Sequence, residues 1–194
     1  DILAVLYYYL LKYKGWKGGV VRNLATTHLL DRIAEGFGER CYAVPVGFKH
    51  ISSKMEETEA LIGGESSGGL TIRGHIRGKD GVFAASLLIE LLCVTGQSLS
   101  GLLTEIHDRF GDFYTEEWDC HFDPAQKSPL QQKIQPGYAL PECPWAVVSS
   151  SYFDGMKVVF ANGGWALIRF SGTEPLLRVV AEMPSREEAQ AAVM

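Results

Sequence analysis

Apolar residues at Ile2, Val5, Leu6, Tyr9, Leu10 and Tyr13 recur with a helical period, and Lys12, Lys14 and Gly15 supply a cationic last turn and a stop. The chain therefore opens on an amphipathic helix. Residues 20–24 are short and rich in β-formers, Thr26 and Thr27 can cap a second helix ending near Gly36, and residues 41–46 read as another strand. Gly47-Phe48-Lys49-His50 reads as a turn ahead of a short polar helix over residues 52–58. A buried strand at 60–62 then runs into Gly63-Gly64-Glu65, and residues 70–72 are extended. Asp80 caps a helix over residues 81–95, and another covers 99–110. Alternation of this kind predicts an α/β domain whose mixed sheet is flanked by helices.

Between residues 113 and 144 the periodicity weakens and Pro124, Pro129, Pro136, Pro141 and Pro144 appear, which predicts a linker with room for one helix. A boundary near Tyr114 divides the chain into domains 1–113 and 114–194. Residues 146–150, 156–160, 165–170 and 177–182 read as strands, with Asp154-Gly155 and Asn162-Gly163-Gly164 as hairpin turns. Ser185-Arg186-Glu187-Glu188 is a capping box that opens a last helix. The second domain is thus expected to be a smaller α+β unit with a mainly antiparallel sheet.

Composition narrows the function classes. With 46% hydrophobic and 21% charged residues the chain suits a packed core, and a net charge of -5 with no long Lys/Arg run argues against nucleic acid as a partner. Cys41, Cys93, Cys120 and Cys143 lack zinc-ligand spacing, so no metal site is expected from them, and they read as reduced thiols in a cytoplasmic protein. No apolar stretch approaches the roughly 20 residues of a membrane span. Both ends fall inside helical patterns, and there is no signal peptide, so the sequence reads as part of a longer one. An anionic ligand would need a local cluster of cations and backbone amides against the acidic background.

One such cluster is the segment RFSGTEPLLR from Arg169 to Arg178, where two hydroxyls, successive amides around Gly172 and an arginine fork provide phosphate-binding chemistry. The same residues also suit an ordinary hairpin whose arginines face water. In Gly63-Gly64-Glu65-Ser66-Ser67-Gly68-Gly69, glycines allow a ligand close to the backbone while a carboxylate and two hydroxyls suit sugar hydroxyls; a glycine-rich turn with a solvated Glu is the alternative. Cationic and titratable side chains concentrate in residues 45–50 and 73–81, which could neutralise a sugar phosphate or form two solvated turns. No strand is followed by GxGxxG or GxxxxGK[ST], which weakens a nucleotide-binding reading.

Arg-x-Ser-Gly-Thr-Glu-Pro resembles the phosphate-binding loop of the α-D-phosphohexomutases, and Gly-Glu-x-Ser-Gly resembles their sugar-binding loop; the likeness extends through Val46-Gly47-Phe48-Lys49 and from His75 to Gly81. The resemblance implies that Arg169, Ser171, Gly172 and Thr173 hold a phosphate and that Glu65 and Ser67 bind sugar hydroxyls. Lys49, His75 and Lys79 become ligand contacts, with His75 and Lys79 also candidates for acid/base catalysis. It further implies an intramolecular phosphotransferase that interconverts hexose 1-phosphate and hexose 6-phosphate through a hexose 1,6-bisphosphate, with Mg²⁺.

That chemistry needs a serine loop and an Asp-Gly-Asp-x-Asp-Arg type metal loop, and neither occurs in this sequence. The likeness is to the third and fourth domains of the family, so the partners expected are a phosphosugar and the missing N-terminal domains of the same polypeptide. The chain alone is expected to lack mutase activity and to hold no metal. A phosphoglucosamine mutase portion and a non-catalytic sugar-phosphate-binding module remain open alternatives, with the absence of a His after Gly68 favouring glucose over mannose or glucosamine.

Overall fold

The computed structural model describes residues 1–137, 143–172 and 174–194, which divide into the units Asp1–Gly111 and Asp112–Met194. In the first unit, strands β1 (Val20–Asn23), β2 (Cys41–Val44) and β3 (Ile62–Gly64) are parallel and β4 (Leu70–Ile72) is antiparallel at the edge, in the order β2-β1-β3-β4. The chain leaves β1 for a neighbour on one side and later returns to the other side, so its winding reverses there. Neighbouring residues of β1 show the consequence. Val21 packs with Ile51 and Met55 of α3 (Phe48–Thr58), whereas Arg22 points the other way and pairs with Asp31 of α2 (Leu29–Gly36) at 2.6 Å. The two crossover helices lie on opposite faces, and the loops after β1 and β3 flank the reversal.

Helix α1 (Ile2–Lys12) departs from the amphipathic pattern expected of it, because every residue from Leu3 to Leu11 is buried. It packs against α2, α4 (Gly81–Thr95), α5 (Leu99–Phe110) and β3, so no face is left for water. Its tyrosines place their hydroxyls at the margins: Tyr7 donates to the Gly18 carbonyl at 3.1 Å, Tyr9 to Glu90 at 2.7 Å and Tyr8 to Glu105. Lys14 and then Tyr9 hold the Glu90 carboxyl below its ordinary pKa, and Lys12 and then Tyr8 do the same for Glu105.

The glycines at the end of β3 have a packing role that differs from the expected ligand approach. A Cβ at Gly63 would lie 2.5 Å from Met55 Sδ and 2.6 Å from Ile51 Cγ2, and one at Gly64 would lie 3.1 Å from Leu3. They let α3 and α1 close on the two faces of the strand.

The second unit is an antiparallel sheet of β5 (Tyr114–His121), β6 (Val147–Ser151), β7 (Met156–Phe160), β8 (Trp165–Phe170) and β9 (Leu176–Met183), ordered β5-β9-β8-β7-β6. Strand β5 lies in the stretch read as linker. It pairs with β9 at every position from Tyr114 to His121, yet it is an edge strand with little burial on either face, so it carries no apolar alternation. A 3₁₀ turn (Pro124–Gln126) and α6 (Lys127–Lys133) follow it. Helix α7 (Arg186–Val193) packs on β5 and β9, capped by Ser185, whose hydroxyl accepts from the Glu188 amide at 3.2 Å. Met156, Val158, Phe160, Met183 and Ala189 form one buried apolar cluster of the unit. Among the described residues, no single helix is long and apolar enough to cross a membrane.

Candidate functional site

In the first unit the candidate chemistry gathers where the carboxyl ends of β1 and β3 flank the reversal, the position at which open α/β sheets bind ligands. Glu65 follows β3 directly and is 9% exposed. Its Oε1 accepts from Asn23 Nδ2 at 3.2 Å and from the Gly47 amide at 3.1 Å, and its Oε2 lies 3.6 Å from Lys79 Nζ. Asn23, itself 2% exposed, is fixed in turn: its Oδ1 accepts from the Ala25 amide at 3.0 Å and the Thr26 hydroxyl at 2.8 Å. A carboxylate held this way is aimed before any ligand arrives. The solvated Glu of an ordinary turn is not what the structure has. Asn23 and the Gly47 amide were not singled out as site groups in the sequence, where the signal available for Asn23 was a polar residue at the end of a short strand.

The loop itself is a turn in which the Gly68 amide donates to the Glu65 carbonyl and the Glu65 amide to the Gly69 carbonyl, each at 2.9 Å. Ser67 is exposed at its tip. Helix α3 begins at Phe48, four residues before the expected start, so Lys49 and His50 stand on its first turn rather than in a loop. Lys49 is exposed and has no ion-pair partner among the described residues.

His75 is placed differently. Its Nε2 lies 2.9 Å from Asp80 Oδ2 and its ring stacks on Phe83 with centroids 3.9 Å apart. Asp80 caps α4 by accepting from the Phe83 amide, and that bond, followed by His75, holds the Asp80 carboxyl below its ordinary pKa. His75 thus belongs to the capped start of α4, while Lys79 is the candidate brought to Glu65. Arg73 donates to the carbonyls of Glu59 and Lys17, and Arg77 pairs with Glu56.

In the second unit the two arginines of the β8–β9 hairpin are cross-strand neighbours with different surroundings. Arg178 forms a two-bonded pair with Asp119 at 2.9 and 3.1 Å and also meets Glu117 at 2.7 Å, both from β5. Arg169 has a side chain 16% exposed, with Asp154 Oδ2 at 3.8 Å from its Nε, and among the described residues that buried Nε has no hydrogen-bond partner. Gly155, at φ 86°, lies against it, since a Cβ there would sit 2.7 Å from Arg169 Cβ and 2.4 Å from the Ile168 carbonyl. Beyond Arg169 the Ser171 amide donates to the Leu176 carbonyl at 2.9 Å, and the Ser171 hydroxyl accepts from the Glu174 amide at 3.3 Å. Gly172 is exposed, and Thr173 lies outside the described residues.

Sequence and structure comparisons place these loops in a family. Residues 1–110 match the model of the phosphoglucomutase/phosphomannomutase alpha/beta/alpha domain III, and residues 123–194 match the C-terminal domain of the same enzymes. The chain belongs to the phosphoglucomutase/phosphomannomutase family. It is 31% identical over 176 residues to a phosphoglucomutase/phosphomannomutase of Thermococcus kodakarensis, with 89% of this chain and 36% of that protein covered. It is 30% identical over 177 residues to a phosphoglucosamine mutase of Sphingopyxis alaskensis, covering 91% and 35%. The crystal structure of a Thermus thermophilus protein assigned provisionally as a phosphomannomutase matches with a TM-score of 0.78 and 28% identity, over 98% of this chain and 38% of that one. The chain therefore spans little more than a third of the length of these relatives.

The relatives are phosphomutases, an isomerase class. Among the described residues no three His, Cys, Asp or Glu side chains converge in a way that could hold a metal ion.

Proposed function

We propose that this chain is the sugar- and phosphate-binding portion of a phosphohexomutase that interconverts hexose 1-phosphate and hexose 6-phosphate through a bisphosphate. Arg169 carries the reading. Its side chain is 16% exposed and, among the described residues, its buried Nε has no hydrogen-bond partner, a state that is costly unless an acceptor completes it. Phosphate does so in the geometry an arginine fork prefers. Ser171, Gly172 and Thr173 join Arg169 in holding the non-transferred phosphate. Glu65 and Ser67 accept from and donate to the sugar hydroxyls, and Lys49, with no ion-pair partner of its own among the described residues, adds positive charge.

His75 and Lys79 are the side chains of this chain suited to a proton-handling role, His75 through an imidazole already oriented by Asp80. Phosphoryl transfer depends on a nucleophile and on charge neutralisation by a metal, and the 194 residues contain neither a serine loop nor an aspartate-rich metal loop of the family's type. The chain by itself should bind phosphosugar without turning it over. Calorimetric titration with glucose 1-phosphate, alongside a turnover assay primed with glucose 1,6-bisphosphate, tests both halves. Saturable binding without turnover is expected; measurable turnover, or a titration with no heat at millimolar ligand, would refute the reading.

A further inference from the structure

Lys79 reaches Glu65 by crossing Gly69. A Cβ on Gly69 would lie 2.1 Å from Lys79 Cδ, 2.9 Å from its Cγ and 3.3 Å from its Cε. The lysine stem therefore occupies the space that a side chain at position 69 would need, and the two are mutually exclusive. Its ammonium ends 3.6 Å from Glu65 Oε2 and 5.7 Å from the centre of the Phe48 ring. Because Oε1 already accepts from Asn23 and Gly47, Oε2 is the oxygen left to meet a ligand, and it does so with a cation at its side.

This pairing changes what the carboxylate can recognise. A carboxylate alone attracts an ammonium group on a sugar more strongly than a hydroxyl. A carboxylate flanked by an ammonium offers an acceptor and a donor to neutral hydroxyls, and it places a like charge next to any amino group that approaches. We propose that Lys79 is a specificity-determining residue that disfavours cationic amino sugars, so that the Glu65–Lys79 pair selects neutral hexose phosphates. The inference rests on the sugar-phosphate reading above and deepens it. Lys79 is 53% exposed, so water and salt screen the repulsion, and the expected discrimination is about tenfold rather than thousands.

Calorimetry on this chain with glucose 1-phosphate and glucosamine 1-phosphate, at a pH where the amine is protonated, tests it. The unmodified chain should bind glucose 1-phosphate about tenfold more tightly. Lys79→Met removes the charge and keeps the stem, and Gly69→Ala displaces the stem and keeps the charge in the molecule. Each should tighten glucosamine 1-phosphate until the two ligands differ by no more than about twofold, while Lys79→Arg retains the preference. Circular dichroism confirms that the variants fold. A preference that Lys79→Met leaves unchanged would overturn this inference alone. If neither ligand binds the unmodified chain, the sugar-phosphate reading falls and this inference with it.

Discussion

Glu65 and Arg169 are both charged groups held largely out of water, and the protein has left them in opposite conditions. Glu65 already accepts two hydrogen bonds and has an ammonium nearby. Arg169 has a carboxylate at 3.8 Å and a buried N–H with no acceptor among the described residues. The first arrangement fixes direction, since a carboxylate held by Asn23 and a backbone amide cannot turn to follow a ligand. The second leaves hydrogen-bonding capacity unused among the described residues, which an anionic acceptor would recover. On the proposed function, the strand-end loop of the parallel sheet would contribute selectivity and the hairpin of the antiparallel sheet would contribute affinity.

The largest test of that contrast is Arg169→Ala. Charge-assisted hydrogen bonds to phosphate contribute about 1.5–3 kcal/mol, so affinity for glucose 1-phosphate should fall about 10- to 100-fold by calorimetry, with the circular dichroism spectrum unchanged. An affinity within about twofold of the parent would make this loop a turn only.

Asn23→Ala comes next. It removes one donor from a buried carboxylate and frees the Thr26 hydroxyl and the Ala25 amide from their shared acceptor. Urea melts should show a loss of about 1–3 kcal/mol, and phosphosugar binding should weaken about tenfold as Glu65 loses its aim. Full stability in this variant would mean that Glu65 needs no such support.

Arg178→Ala should do far less than its neighbour, although the two face each other across the ladder. Its pairs with Asp119 and Glu117 are partly exposed, so the cost in stability should stay below about 1 kcal/mol, with affinity within about twofold. A loss equal to that of Arg169→Ala would erase the distinction between the two arginines.

The smallest effect concerns acid. Arg178 holds the Asp119 carboxyl below its ordinary pKa, and Lys14 and Lys12 do so for Glu90 and Glu105. With folded values below unfolded ones, the stability from these pairs is present above about pH 4 and is lost as pH falls through the lowered values. Thermal melts between neutral and acid pH should show this decline in the parent. In Arg178→Ala the decline should be slightly shallower, because Asp119 loses the main cause of its lowered pKa.

Much of the architecture could be read from local pattern. The parallel strands, the Asp80 cap, the hairpin glycines and the two ligand-type loops each depend on neighbours a few residues away. Strand β5 could not be read, because an edge strand whose faces are mostly exposed has its ladder with β9 as its only signature, some sixty residues downstream. The early start of α3 was hidden for a related reason. Gly47 and Phe48 look like turn residues until the Gly47 amide is seen donating to Glu65.

The sequence by itself marked the candidate residues: the Glu65 loop, the Arg169 loop and the basic stretches around Lys49 and His75. Tertiary structure decided which of them are already engaged. Asn23 meets Glu65 across forty-two positions of chain only because β1 and β3 are sheet neighbours. Arg178 is neutralised only because β5 lies beside β9, while Arg169 one strand away has a buried N–H without an acceptor among the described residues. Charge pairing is decided by distance in space, and a linear pattern does not carry that distance.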